Sequence, residues 1–161
     1  MRKIVILLLA LILNSCNDGN FEVPSFDFTE TVNHCGEYIL YITNTEKKEV
    51  MILTLSPDEI NTTEGTKSYP ISSPIQVNYR IFDAAIGTTY FCQSIPPASP
   101  NVLKDLNATD GEINITTTAV KENDIITGYD YTITITNLLF KDGDQKVFFE
   151  TFNFGTLQLT N

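Results

Sequence analysis

Apolar and polar side chains alternate strictly in three stretches of the chain. Tyr129, Tyr131, Ile133 and Ile135 fall on one side of an extended segment, with Asp130, Thr132, Thr134 and Thr136 on the other. Ile113, Ile115, Thr117 and Ala119 alternate in the same way with Glu112, Asn114, Thr116 and Thr118, and Val77, Tyr79 and Ile81 with Gln76, Asn78 and Arg80. A period of two predicts strands with one face in a core and one in water. Residues 38–42 and 50–55 are apolar on both faces, which predicts strands inside the domain and not at its edge. The polar residues 44–48 between them predict a hairpin. Beyond residue 20 no segment carries a helical apolar stripe over three turns.

Turn chemistry divides the rest. Asp142-Gly143 predicts a hairpin between residues 129–140 and 147–154, because Gly accepts positive φ. Asp110-Gly111 predicts the start of the strand at 112, and Gly155 predicts the end of the last apolar run, with Leu157 and Leu159 in a separate terminal strand. The Pro-rich stretch Ile95-Pro96-Pro97-Ala98-Ser99-Pro100 is incompatible with a central strand and predicts an extended crossing between two groups of strands. Eight or nine strands result. Short strands separated by turns suggest a sandwich or barrel, and the expectation carried forward is an all-β antiparallel β-sandwich, Ig-like or related, over residues 25–161. Tyr90-Phe91-Cys92 is similar to the Tyr-x-Cys of immunoglobulin domains, but Trp is absent and nearly seventy residues follow Cys92, so the generic sandwich is preferred to that family.

Composition fixes scale and sign. The chain has 161 residues, which suits one domain. A formal net charge of -10 disfavours a partner as negative as a nucleic acid, so none is expected.

The first twenty residues have a different logic. Arg2 and Lys3 precede ten apolar residues, 4–13, which are too few for a transmembrane helix of about 20 residues and suit a signal-peptide core. The run ends in Leu13-Asn14-Ser15-Cys16. In these residues the chain resembles the small cell-envelope lipoproteins of Bacteroidota. The resemblance implies a signal peptide over residues 1–15, cleavage before Cys16, acylation of Cys16, a polar tether over 16–24 and a place in the outer membrane. Asp18 and Glu22 resemble the acidic export signal of surface-displayed members of that group. The resemblance extends loosely to the β-rich body, to Gly111-Glu112-Ile113-Asn114-Ile115-Thr116 and to Thr127-Gly128-Tyr129-Asp130-Tyr131. It implies no activity. The alternative readings of the leader are an ordinary secretory signal with a chance Cys, or a buried apolar helix. Several acyl chains on one Cys anchor a protein stably where a single chain does so only marginally.

With Cys16 lipidated, Cys35 and Cys92 remain. An exported chain folds in an oxidising compartment, where an even pair reads as a disulfide; two separate buried thiols are the alternative.

Catalytic constellations are not evident. His34 is the single imidazole, and in an extended stretch it points away from Cys35, so the two form no nucleophile–base pair. No Gly-x-Ser-x-Gly elbow, phosphate loop or dinucleotide fingerprint occurs. Asp142 and Asp144 offer carboxylates at a turn without a full calcium loop, and one His with two Cys falls short of a structural zinc set. No metal or cofactor is expected. The expected function is therefore a membrane-anchored, non-enzymatic envelope lipoprotein acting through protein–protein contacts. Its alternative is a glycan- or small-ligand-binding module using some of the seven Tyr, Tyr41, Tyr69, Tyr79, Tyr90 and Tyr129 among them. The row Thr132, Thr134, Thr136 has the spacing of an ice-binding ladder, but one strand gives no flat array, and the row is expected to be the wet face of a sheet.

Overall fold

The computed structural model describes residues 26–36 and 38–160. The leader, Cys16 and the tether lie outside the described residues. The described chain is all-β and antiparallel, with β1 Asn33–Cys35, β2 Ile39–Thr43, β3 Glu49–Thr54, β4 Gly65–Pro70, β5 Gln76–Phe82, β6 Val102–Glu122, β7 Ile125–Asp142 and β8 Gln145–Thr160. The one helical element among the described residues is a 3-10 turn at Tyr90–Cys92.

These strands form one hydrogen-bonded sheet in the order β1-β2-β3-β5-β6-β7-β8, with β4 added on β6, and the sheet curls into a half-barrel. This differs from the expected sandwich of two stacked sheets. The cause is the length of β6. Its first part pairs with β5, as in Leu106 opposite Tyr79, and its second part pairs with β4, as in Ile115 opposite Lys67. One strand thus belongs to both halves, and no Ig-like pair of sheets is formed.

The bend in β6 falls at Asp110-Gly111, which is a bulge inside the strand and not its start. The register with β7 slips on both sides of Asp110. Inward-facing positions are even before it (Leu106, Ala108) and odd after it (Ile113, Ile115). Gly111 has φ +143°, and a Cβ there would lie 2.8 Å from Ile71 Cδ1 and 3.3 Å from Leu138 Cα. β7 bends in step: Asn137 takes φ 54°, and inward positions change from Ile133 and Ile135 to Leu138 and Phe140. Bulges of this kind strengthen twist and bend a sheet, which is how a long flat ribbon becomes a half-barrel.

Gly155 likewise lies within β8, where the β7 register slips between Ile133 and Thr134. Leu157 and Leu159 continue the same strand instead of forming another. The Pro-rich stretch joins β5 to β6, which are direct neighbours; the passage between the two groups of strands is made by β6 itself.

The concave face holds the main core, including Tyr79, Ile113, Ile133, Ile135, Phe140 and Phe154, each at most 1 % exposed. The half-barrel would be open between β2 and β8, and residues 26–32 lie across that opening. Thr29 donates its backbone N–H to the Thr43 carbonyl of β2 at 2.9 Å, and Thr31 bridges in parallel to Thr156 of β8. Phe26 packs against Tyr79, Phe140 and Phe149, with ring centroids 4.4, 6.3 and 5.0 Å away, and Phe28 packs against Phe152. This strap runs so close to β8 that a Cβ on Gly155 would lie 2.7 Å from Val32 Cγ2.

A second, smaller core lies on the convex face of β2 and β3. Tyr41, Val50 and Ile52 are buried there beneath Phe82, Ile86 and Tyr90. This explains the double-sided apolar pattern of residues 38–42 and 50–55. β2 and β3 form the expected hairpin, from Ile39 opposite Thr54 to Thr43 opposite Val50.

Candidate functional site

Cys35 and Cys92 form a disulfide with Cα atoms 5.0 Å apart. It ties β1 to the 3-10 turn at Tyr90–Cys92. The bridge therefore holds the loop after β5 down over β2 and β3, where Phe82, Tyr90 and Phe91 meet edge to face at 5.0 to 6.5 Å. The Tyr41 hydroxyl donates to the Thr88 carbonyl at 2.6 Å and closes the same cover. Burial pushes the Tyr41 phenol above its ordinary value. The cysteines are structural, and the bridge leaves neither as a free thiol.

His34 is exposed, and its Nδ1–H donates to the Gly36 carbonyl at 2.7 Å, so the ring serves a local turn. Asp142 is paired with Lys104 at 2.5 Å, while Asp144 is exposed in the β7–β8 turn. Among the described residues no group of three or more His, Cys, Asp or Glu is placed to hold a metal ion. No described helix is long and apolar enough to cross a membrane, which says nothing about strands.

The seven Tyr do not converge. Tyr41, Tyr79, Tyr90 and Tyr131 are buried, Tyr69 and Tyr129 are half-buried, and Tyr38 is exposed. The Tyr69 phenol is raised by burial and then by the nearby carboxylates of Glu59 and Asp58. A cleft of about 390 Å³ runs beside the strap, lined by Phe28, Thr29, Glu30, Asn153, Gly155 and Thr156 among others. A second, of about 240 Å³, lies between residues 71–77 and Asn107-Ala108. Neither presents a Tyr ring.

The convex face of β4, β6, β7 and β8 is the most regular chemical surface of the molecule. Thr66 lies opposite Thr116, Thr116 opposite Thr132, and Thr132 opposite Thr156, so four threonines form one row across four strands. Ser68, Asn114, Thr134 and Asn153 form the next row. Strand spacing of about 4.8 Å sets the repeat. Within the rows, the Thr66 and Thr116 hydroxyls are 2.8 Å apart, Thr132 and Thr156 3.2 Å apart, and Ser68 donates to Asn114 Oδ1 at 2.6 Å. The two rows carry no formal charge. Such a face offers donors and acceptors at fixed spacing to another polar surface. Sequence reading identified Thr132, Thr134 and Thr136 as part of the wet face of a sheet. It missed the rows because Thr66 and Thr156 are placed beside them only by pairing.

Comparison with known proteins adds no relative: no protein-family model, no curated protein and no solved structure matches the chain.

Proposed function

We propose that this chain is a membrane-anchored lipoprotein of the cell envelope, held through acylated Cys16 and acting by contact with another envelope protein and not by turnover. The order Arg2-Lys3, apolar residues 4–13, Leu13-Asn14-Ser15-Cys16 carries this reading. A disulfide between Cys35 and Cys92 supports it, because such bonds persist in oxidising compartments. The uncharged rows on β4, β6, β7 and β8 are the contact surface, since they meet a polar partner without a charge to desolvate. A second reading rests on the same rows: hydroxyl and amide groups at fixed spacing also suit a glycan, bound by hydrogen bonds along the strands and without aromatic stacking.

Protease digestion of intact cells, with Cys16→Ala alongside, tests the anchor and the site together. Wild-type chain in the membrane fraction and Cys16→Ala chain in the soluble fraction is the expected result. Unchanged membrane association of Cys16→Ala overturns the anchor. Digestion on intact cells places the protein on the outer surface, and protection until permeabilisation places it in the periplasm. Thr116→Lys with Thr132→Lys should abolish capture of the partner protein or glycan; retained capture overturns the contact surface.

A further inference from the structure

The two ends of the half-barrel differ in charge, in exposed apolar side chains and in distance from the chain that precedes Phe26. One end gathers the β2–β3 turn, the start of β6 and the β7–β8 turn. Lys104 at the start of β6 pairs with Asp142 at the end of β7, and Phe82 accepts its place beside the β2–β3 turn by donating its N–H to the Lys48 carbonyl. Lys47, Lys48, Lys104, Lys141 and Lys146 all lie here, five of the eight Lys and Arg that follow residue 25. They are interleaved with Glu46, Glu49, Asp83, Asp142 and Asp144, so this end is balanced on an otherwise acidic body. Leu103 is 63 % exposed and Phe148 58 % exposed at the same end. Phe148 faces out because its neighbours Val147 and Phe149 face the core.

The strap enters from this end. Thr31 lies at the level of Thr156, and Phe26 lies at the level of Phe140 and Phe149, so the chain traced backward heads for the β7–β8 turn. Cys16 is ten residues before Phe26. Ten extended residues reach at most about 35 Å. The opposite end is the β6–β7 turn at Asn123-Asp124, sixteen residues along β7 from Phe140, or about 50 Å. Val120, Ile125 and Ile126 are exposed there too, beside Lys121, Glu122 and Asp124, but at the end farther from Phe26 and so from the anchor.

We propose that the end of the half-barrel formed by Lys47, Lys48, Leu103, Lys141, Lys146 and Phe148 lies on the lipid surface, so that the body docks on the bilayer instead of swinging on its tether. The proposal rests on the anchor reading above. Lysines around exposed Leu and Phe have the chemistry of an interface between headgroups and acyl chains, where the ammonium groups stay wet and the apolar groups enter. A balanced end is also the part of an acidic protein least repelled by anionic lipid. The β6–β7 turn then points away from the membrane.

The test uses the full acylated chain in vesicles of phosphatidylethanolamine and phosphatidylglycerol, labelled with a water-soluble amine reagent and read lysine by lysine by mass spectrometry. Lys67 and Lys121, away from the docking end, are internal references, and the Cys16→Ala chain in solution is the unbound state. Labelling of Lys47, Lys48, Lys141 and Lys146 relative to the references should slow by about threefold or more on vesicles. Leu103→Asp with Phe148→Asp should restore the solution ratios, with the disulfide and thermal transition unchanged. Should that variant misfold, Lys47→Glu with Lys141→Glu must restore the ratio at Lys48 and Lys146. Solution-like labelling of a chain shown by its mass to be acylated overturns the docking and leaves the anchor standing. Absence of acyl mass on Cys16, with unchanged membrane association of Cys16→Ala, overturns both. Protection in native membranes but not in pure lipid assigns the end to a protein partner and overturns the lipid surface.

Discussion

The half of the sheet built from β1, β2, β3 and β5 and the half built from β6, β7 and β8 bury their side chains by different means. In the first, the strands have three to seven residues, and the central pair β2 and β3 is covered on both faces. The concave core takes Leu40, Ile42, Met51 and Leu53, and the disulfide-held loop takes Tyr41, Val50 and Ile52. In the second, strands of 16 to 21 residues bury one face and leave the other wet. The short half depends on a cover that a covalent bond keeps in place. The long half depends on hairpin pairing and on bulges that turn one face inward along its whole length. β2 and β3 have few ladder bonds, and burial on two sides stabilises them; the long strands reach the same end with one buried face.

Several measurements break or sharpen this contrast. Phe140 is fully buried where β7 meets the strap, and Phe140→Ala should cost about 3–5 kcal/mol in chemical denaturation, the largest single effect expected. A loss below about 1 kcal/mol would show that the long half does not depend on its core. Cys35→Ser with Cys92→Ser opens a loop closed across 57 residues and should cost about 4 kcal/mol in the chain-entropy picture. Hydrogen exchange in that variant should rise first in β2 and β3 and leave β7 protected. Uniform acceleration would mean the two halves unfold together.

Gly155→Ala asks how tightly the strap seals the opening. The new Cβ meets Val32 and, at 3.1 Å, the Glu30 carbonyl, at a φ of +127°, so a loss of about 1–3 kcal/mol is expected, with increased exposure of Phe26 and Phe28. Tyr41→Phe removes one hydrogen bond from the cover and should cost about 0.5–1.5 kcal/mol. Tyr41 also gives the cover a pH dependence. Its folded phenol holds its proton above the ordinary value near 10, so the folded state binds more protons than the unfolded state in that range. Its contribution is complete below pH 10 and falls as pH rises through the folded value. Tyr69 adds to the same loss. Tyr41→Phe should flatten the alkaline limb of the stability curve in part, and an unchanged limb would assign it elsewhere. Asp105→Asn, which removes the partly exposed ion pair with Arg80, should change stability by no more than about 1 kcal/mol.

The alternating residues 129–136 and 113–119 were legible as strands because each repeats every second position over at least seven residues. The double-sided pattern of 38–42 and 50–55 was legible as interior strands, although what covered the second face was not. The long strands were misread at their bulges. At Gly111 and Gly155 the inward set shifts by one residue, and along a sequence such a shift looks like the end of a strand; the same shift at Asn137 falls inside residues 129–140, which were read as one segment. β1 was too short and β4 too polar to give a signal: β4 reads Gly-Thr-Lys-Ser-Tyr-Pro and is exposed at all but one position. The strap gave none either, since Phe26 and Phe28 gain their meaning only from the opening they fill. The threonine rows illustrate the same limit, because alternation marks a wet face but not which residues lie beside it.

The sequence by itself determined the all-β class, the hairpins at 44–48 and 141–144, the pairing of the two cysteines as the favoured reading and the case for an anchor at Cys16. These depend on local rules: side-chain period, turn residues and the order of a leader. The tertiary structure alone decided that the strands make one curled sheet, that the strap closes it, that the disulfide holds a cover and that polar residues from four strands form rows. Those outcomes depend on register and on bends between segments more than a hundred residues apart, and a single chain encodes them only through the packing of all the strands at once.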